Sequence, residues 1–167
     1  MKLFGAICIF IFFSLLGIFK GEKEKEQLAE CEAFAEVFVY IKNQVNYFLT
    51  PTKKIYNDIS NGLLEKSGFL PSLRSHENDE VYCDVWRISF ESAKKALHLS
   101  EKQEAIIIGF GENIGKTSDR IQMNSFDYYI AELDGEISKL KKETVKNVKL
   151  YCTLGMTAGA LAAILII

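Results

Sequence analysis

The chain has 167 residues, of which 49% are hydrophobic and 25% are charged, and its formal net charge is −2. This length allows one folded domain together with apolar terminal segments. A net charge so close to zero excludes a general attraction to nucleic acid, so no nucleic-acid partner is expected. The chain contains two prolines, Pro51 and Pro71, and so low a number is typical of a helical protein.

The four cysteines and two histidines do not predict a disulfide framework or a metal site. Cys8 and Cys152 lie inside the apolar ends of the chain, whereas Cys31 and Cys83 are far apart in its charged middle. No pair of cysteines has the spacing of a redox or zinc motif. We interpret all four as small buried or lipid-facing side chains.

Residues 1–20 are predicted to form an uncleaved transmembrane helix. Leu3 to Phe19 is almost wholly apolar, with Ser14 as its one polar side chain. The alternative is a cleaved signal peptide. Against it, Lys2 is the one basic residue before the apolar run, and no small-x-small cleavage site follows the run. Lys20 to Glu26 then forms a charged exit from the membrane.

Two amphipathic helices are predicted to follow. Over residues 27–49, apolar side chains recur at steps of four and three and form one buried stripe. The stripe consists of Phe34, Phe38, Ile41, Val45 and Phe48. Thr50 and Pro51 are predicted to be the N-cap and first residue of the next helix, whose buried residues are Ile55, Ile59 and Leu63.

A fourth helix is expected over residues 81–99, after a turn at 70–72 and a loop at 74–79. Trp86 is expected inside, with its indole N–H bonded to a partner. The other buried positions expected are Val85, Ile88, Ala93, Ala96 and Leu97. Ser100 to Gln103 has the form of a capping box, so a short helix is predicted to begin there.

Residues 105–119 superficially resemble a strand that leads into a phosphate-binding loop. Three residues separate Gly111 from Gly115, whereas the loop needs four, and Phe110 stands where the first glycine is required. We therefore predict no nucleotide site and no cofactor. The segment is interpreted as a tight corner, in which Gly111 and Gly115 supply positive φ and Ser118 caps the next helix beside Asp119.

The last third of the chain, residues 118–167, is predicted to be one long helix. An apolar stripe runs through Met123, Phe126, Ile130, Leu133, Ile137 and Leu140. Residues 150–167 carry no charged side chain, and this run gives about 27 Å of helix, enough for a second transmembrane segment.

Gly155 and Gly159 form a G-x-x-x-G pattern, which lets two membrane helices approach closely. The sequence does not decide between two partners for this glycine face. One is the first apolar segment of the same chain, and the other is a second subunit, which would make the protein a homo-oligomer.

The sequence thus predicts an all-α protein, with a bundle of five to six helices at residues 21–149 flanked by N- and C-terminal transmembrane helices. Lysines collect beside both apolar segments on the side of the bundle. The positive-inside rule therefore places residues 20–149 in the cytoplasm and both termini outside.

A series of residues in the last third resembles the family of stage III sporulation protein AB. The series is Phe110-Gly111, Ile114-Gly115, Ser118-Asp119, Gln122, Lys149-Leu150-Tyr151 and Leu154-Gly155. The segment from Asn46 to Pro51 and the position of Trp86 are also similar to the family. The sequence departs from it in Ile114, where leucine is usual, and in Lys116-Thr117, where one residue is usual.

The resemblance implies a membrane platform, or scaffold, in a sporulation-specific channel between mother cell and forespore. It implies a location in the mother-cell membrane around the forespore and a cytoplasmic domain similar to the type II secretion platform protein. It also implies two kinds of partner, other stage III sporulation channel subunits and a secretion-type ATPase.

The sequence favours this role over two other classes of function. A membrane-bound enzyme needs a convergent polar pocket, and no carboxylate pair, activated nucleophile or cofactor loop is recognisable, so no catalytic residue is predicted. A platform of a non-sporulation type II secretion or type IV pilus system is the nearer alternative. Such platforms usually carry two copies of the helical domain, whereas this chain has one.

Overall fold

The computed structural model describes residues 2–75, 81–115 and 119–166, and every regular element within them is helical. A 3₁₀ turn, Lys94–Ala96, follows the fifth α-helix. The α-helices are α1 (Lys2–Phe48), α2 (Thr52–Asp58), α3 (Gly62–Lys66), α4 (Phe69–Ser75), α5 (Tyr82–Ala93), α6 (Glu101–Glu112) and α7 (Asp119–Ile166). The predicted all-α class and helical bundle are confirmed.

The chain divides into two compact units. Unit 1 consists of Met1–Leu28 and Ser138–Ile167, and unit 2 consists of Ala29–Ile137. The two long helices, α1 and α7, contribute residues to both units. The division into functional segments at 1–20, 21–149 and 150–167 stays a prediction.

Among the described residues, neither α1 nor α7 nor any other helix has the combined length and hydropathy that crossing a membrane requires. The transmembrane helices expected at residues 1–20 and 150–167 are therefore not confirmed. Each apolar run is one part of a much longer helix that also carries a charged segment, Lys20 to Glu26 in α1 and residues 139–149 in α7.

The core of unit 2 is rich in aromatic side chains. Phe38 of α1 stacks on Phe110 of α6 with ring centroids 3.8 Å apart, and Phe110 stacks on Phe126 of α7 at 4.6 Å. Trp86 of α5 is fully buried and meets Phe69 of α4 edge-on at 5.0 Å. Because the rings come from five helices, the core joins segments that are distant in sequence.

The apolar stripes predicted for α1 and α7 form much of this core. Phe34, Phe38 and Ile41 are fully buried, as are Phe126 and Leu133. Val45, Met123 and Ile130 are half-buried, and Phe48 departs furthest from the prediction, since 68% of it is exposed. It is the last residue of α1, and at Leu49 the backbone takes a φ of +47°, which turns the chain away from the core.

The corner after α1 differs from the expectation that Thr50 and Pro51 begin a helix. Thr50 instead closes α1, because its backbone N–H donates to the Gln44 carbonyl at 3.1 Å and its hydroxyl donates to Gln44 Oε1 at 2.8 Å. Pro51 becomes the N-cap and Thr52 the first helical residue.

Two further local predictions were wrong. Pro71 lies in α4 rather than in a turn, because a proline in the first turn of a helix removes no intrahelical hydrogen bond. Ile88 lies on the exposed face of α5, opposite its buried residues. Ala96 is exposed in the 3₁₀ turn, because α5 ends at Ala93. Arg74 and Ser75 of the predicted loop lie in α4, and residues 76–79 lie outside the described residues.

The capping box predicted at Ser100 is confirmed. The Ser100 hydroxyl accepts from the Gln103 backbone N–H at 3.4 Å, and Gln103 Oε1 accepts from the Ser100 N–H at 2.9 Å. These two bonds satisfy donors that the first turn of α6 leaves free.

Cys31 is fully buried in unit 2, and its environment suppresses ionisation of the thiol. Burial, reinforced by the carboxylates of Glu30, Glu136 and Glu32, raises the pKa of Cys31 from 9.0 to about 12. Burial likewise raises the pKa of Tyr56. Both groups stay neutral in the folded protein over a pH range in which they ionise in the unfolded chain.

This burial predicts that the protein loses stability at alkaline pH. Above pH 9 the unfolded chain releases the Cys31 proton while the folded protein keeps it, so the free energy of unfolding falls as pH rises toward 12. The contribution of Cys31 to the slope approaches about 1.4 kcal/mol per pH unit. Urea unfolding followed by Trp86 fluorescence at pH 8 to 11 measures it, and Cys31→Ala should flatten the slope. An unchanged slope in that variant would contradict the assignment.

Candidate functional site

Gly111, one of the glycines singled out in the sequence, lies against the ring of Trp86. A Cβ built on Gly111 would overlap Cδ1 and Cγ of the indole. At the same edge of that indole, Nε1 donates to the carbonyl of Ile107, one turn earlier in α6, at 3.0 Å, which supplies the partner that the sequence predicted Trp86 to need. Gly111 is therefore required here for close approach, inside α6, rather than for a positive φ.

The positive φ occurs four residues later, at Gly115, where φ is +74°. Asn113 precedes it and donates from Nδ2 to the Gly109 carbonyl at 2.7 Å, which closes the end of α6. The tight corner expected between two helices therefore begins with Gly115 as the residue in the left-handed region. Ser118, predicted as the next cap, lies outside the described residues, and α7 begins at Asp119.

Gln122 follows in the first turns of α7 and is buried, with 6% of its surface exposed. Four residues further on, Phe126 joins the stack with Phe110. Gly111, Gly115 and Gln122 therefore all belong to unit 2, and they lie near the end of α6 and the beginning of α7.

One glycine in this region was missed in the sequence. A Cβ on Gly109 would lie 2.6 Å from Cε1 of Tyr129, so α6 approaches α7 closely here as well. Gly109 and Gly111 stand two apart in a helix, and they accommodate one aromatic ring each on different faces of α6. The sequence Gly-Phe-Gly indicates close packing at this point of α6. It does not identify the rings of Tyr129 and Trp86, because both are distant along the chain.

Gly155 and Gly159 belong to unit 1, where they face α1 of the same chain. A Cβ on Gly155 would lie 2.7 Å from the Phe13 carbonyl oxygen, and one on Gly159 would lie 3.1 Å from that of Phe10. Gly17 completes the contact, since its Cβ would lie 2.5 Å from the Tyr151 carbonyl oxygen. The small residues thus let two antiparallel helix segments approach to backbone contact.

The same helix pair continues into the charged segment. Gly21 packs against Val148, at 3.4 Å from its built Cβ to Cγ1. Asn147 Nδ2 donates to Glu24 Oε2 at 3.4 Å, and the Lys20 ammonium lies 4.8 Å from the centre of the Tyr151 ring. The contact between α1 and α7 in unit 1, which we call the seam, is therefore formed by glycines at one end and by polar side chains at the other.

His98, the residue that a search for a metal site would select, is used in a structural pair. Its backbone N–H donates to Glu30 Oε2 at 2.6 Å, and its Nδ1 lies 3.0 Å from Glu30 Oε1. Glu30 is buried, with 3% of its surface exposed, so both of its oxygens are satisfied by this one residue. The pair fixes the segment after α5 to α1.

Of the predicted interaction residues that the structure describes, Gly111, Gly155 and Gly159 lie at close helix contacts, whereas Gly115 forms the turn after α6. The sequence is matched over residues 2–167 by the family model of Stage III sporulation protein AB, and the chain belongs to this family. No curated protein matches the chain.

A solved structure, "Stage III sporulation protein AB (SpoIIIAB)", is similar to this chain with a TM-score of 0.59 and 14% sequence identity. The similarity covers 72% of this chain and 97% of that one. At this identity the likeness concerns the fold alone.

The contact between Gly111 and Trp86 predicts a large cost for a single methyl group. Gly111→Ala should lower the free energy of unfolding by about 3 kcal/mol, because a Cβ overlaps a buried indole that cannot move aside. Gly135→Ala is the matched control in a helix, since nothing lies within 4 Å of its Cβ, and it should stabilise by about 0.5–1 kcal/mol. Urea unfolding gives both values, and equal effects would contradict the packing described.

The glycine contact in unit 1 predicts a second effect. Gly155→Ile together with Gly159→Ile should separate α1 from α7, because each side chain would meet a backbone carbonyl of α1. Spin labels at Phe4→Cys and Ile164→Cys, which are both exposed, report the separation of the two helices, and the distance between the labels should increase in the double isoleucine variant. An unchanged distance would show the glycines to be dispensable.

Proposed function

We propose that this protein is a membrane platform of the stage III sporulation machinery, in which unit 1 attaches to a membrane and unit 2 docks partner proteins. The observation that carries the proposal is the contrast between the two units. Residues 29–137 contain 18 acidic and 11 basic residues, whereas unit 1 contains nine lysines against four glutamates. Most of the exposed large apolar side chains also belong to unit 1.

The exposed apolar surface of unit 1 supports membrane attachment. Phe4 is 77% exposed and Ile164 is 70% exposed, although both are strongly apolar. So much exposed apolar surface is typical of a site that is covered by lipid or by another protein. The other exposed apolar residues are Ile7, Phe10, Ile11, Phe12, Phe13, Leu15, Leu16, Ile18, Phe19, Val145, Leu150, Leu154, Met156 and Leu161.

The construction of unit 2 supports a scaffolding role. Its aromatic core and its ion pairs hold the helices in a fixed arrangement, as in the Lys102–Glu136 bond of 2.8 Å between α6 and α7. A fixed, acidic surface suits the repeated docking of a soluble partner. We propose a secretion-type ATPase as that partner and other stage III sporulation channel subunits as neighbours.

The proposed location is the mother-cell membrane around the forespore, with unit 2 on the cytoplasmic side. Membership of a sporulation family favours this setting over a platform of vegetative secretion or pili. The vegetative alternative predicts expression during growth, whereas our proposal predicts expression during sporulation.

Photo-crosslinking in sporulating cells tests the docking role. A photoreactive amino acid at Asp134 or Gly135, both exposed on α7, should capture the secretion-type ATPase or a stage III channel subunit. The same amino acid at Leu133, which is fully buried, is the matched control and should capture neither. Capture of neither partner from the exposed positions would contradict the proposal. Saturable ATP binding that Lys116→Ala abolishes would favour an enzyme instead.

Membrane attachment has its own test. The protein should stay with the membrane fraction during extraction with alkaline carbonate, because its attachment is apolar. Release of the protein by carbonate would contradict the proposed attachment.

The orientation of unit 2 is tested by labelling a cysteine. Cys31 and Cys83 are buried, so labelling of the cytoplasmic side requires an exposed site such as Ser92→Cys. The protein is produced in vegetative cells, where it enters the plasma membrane, with Cys8→Ser and Cys152→Ser so that the introduced cysteine is the accessible thiol. A membrane-impermeant maleimide should then reach that site in broken cells and not from outside intact cells. Labelling from outside intact cells would contradict the proposed orientation.

A further inference from the structure

Unit 1 brings lysines from two distant parts of the chain to one level of its helix pair. Gly21 lies against Val148 and Glu24 is bonded to Asn147. This antiparallel register places Lys20, Lys23 and Lys25 of α1 beside Lys142, Lys146 and Lys149 of α7. All six side chains are exposed, and at a rise of 1.5 Å per residue they occupy a band about 10 Å deep along the pair. We name these six residues the lysine band.

The lysine band borders the exposed apolar surface directly. Phe19 and Leu150, which are 65% and 47% exposed, are the next residues on either helix. Tyr151 lies at the same boundary, with the Lys20 ammonium 4.8 Å from the centre of its ring. An aromatic ring and lysines at the edge of an apolar surface match the chemistry of a bilayer interface, where headgroups meet acyl chains.

On α1 the three lysines alternate with Glu22, Glu24 and Glu26, so the basic excess of the band comes from α7. Glu24 is turned into the seam between the helices by its bond to Asn147. Glu143 is the one acidic residue among residues 139–149, which contain five lysines. The side of the band that α7 contributes is therefore strongly basic.

From this arrangement we propose that the lysine band binds the headgroups of anionic phospholipids in the membrane to which unit 1 attaches. The proposal rests on the membrane attachment proposed above and adds the class of lipid. Lysine ammoniums attract phosphate by charge without a fixed geometry, which suits mobile headgroups. The adjoining apolar surface favours lipid over free phosphate, because phosphate has nothing to place there.

The test uses the full chain in vesicles of phosphatidylcholine with one fifth phosphatidylglycerol. After mild solubilisation, native mass spectrometry measures which lipids remain bound. The ratio of phosphatidylglycerol to phosphatidylcholine should exceed that of the vesicles several-fold for the parent protein. The substitutions Lys142→Gln, Lys146→Gln and Lys149→Gln together should return it to the vesicle ratio. A matched triple of exposed lysines in unit 2, Lys54→Gln, Lys66→Gln and Lys95→Gln, should leave the enrichment unchanged.

Each outcome separates this proposal from the one on which it rests. Retention of the protein by vesicles of phosphatidylcholine alone, after carbonate extraction, reports the apolar attachment. Retention without enrichment of phosphatidylglycerol would overturn the lipid proposal and leave the attachment standing. Failure of retention would overturn both. Inorganic phosphate at millimolar concentration should not displace the bound lipid, and displacement would show a plain anion site.

Discussion

The stack of Phe38, Phe110 and Phe126 is the contact on which unit 2 depends. It joins α1, α6 and α7, with centroid distances of 3.8 Å and 4.6 Å between successive rings. Trp86 closes the stack from α5, at 5.9 Å from Phe110. Aromatic pairs contribute about 0.5–1.5 kcal/mol each beyond the burial of their area, so this cluster sets both the stability and the relative placement of the helices.

The glycines of α6 follow from that cluster. A helix that packs one aromatic ring on each of two faces must have small residues opposite the rings, and Gly109 and Gly111 stand opposite Tyr129 and Trp86. Glycine inside a helix costs about 0.5–1 kcal/mol relative to alanine, so its presence here reflects the close approach of the rings. The series Gly-Phe-Gly is thus one packing device, with the phenylalanine inside the core and a glycine on each side.

The two units differ in the kind of contact that holds them. Unit 2 is held by large rings and by buried polar pairs such as Glu30 with His98. Unit 1 is held by small residues at Gly17, Gly155 and Gly159, where backbones meet and the large apolar side chains are left outside. In unit 1 the small residues therefore lie at the helix contact and the large apolar side chains point away from it.

The sequence by itself determined the helical class, the buried stripes of α1 and α7 and the capping box at Ser100, because each depends on a short-range period or spacing. The resemblance carried by residues from Phe110 to Gly155 also predicted the family, and the family model confirms it over residues 2–167. Tertiary structure alone decided that Thr50 closes α1, that Gly111 faces Trp86 and that Gly155 faces α1. The Gly111 and Gly155 contacts join residues about 25 and about 140 positions apart, and a local pattern carries no information on which distant surface will meet it. The bond of Thr50 to Gln44 is local, but it forms across Leu49, whose φ of +47° is uncommon for leucine and is therefore not expected from the sequence.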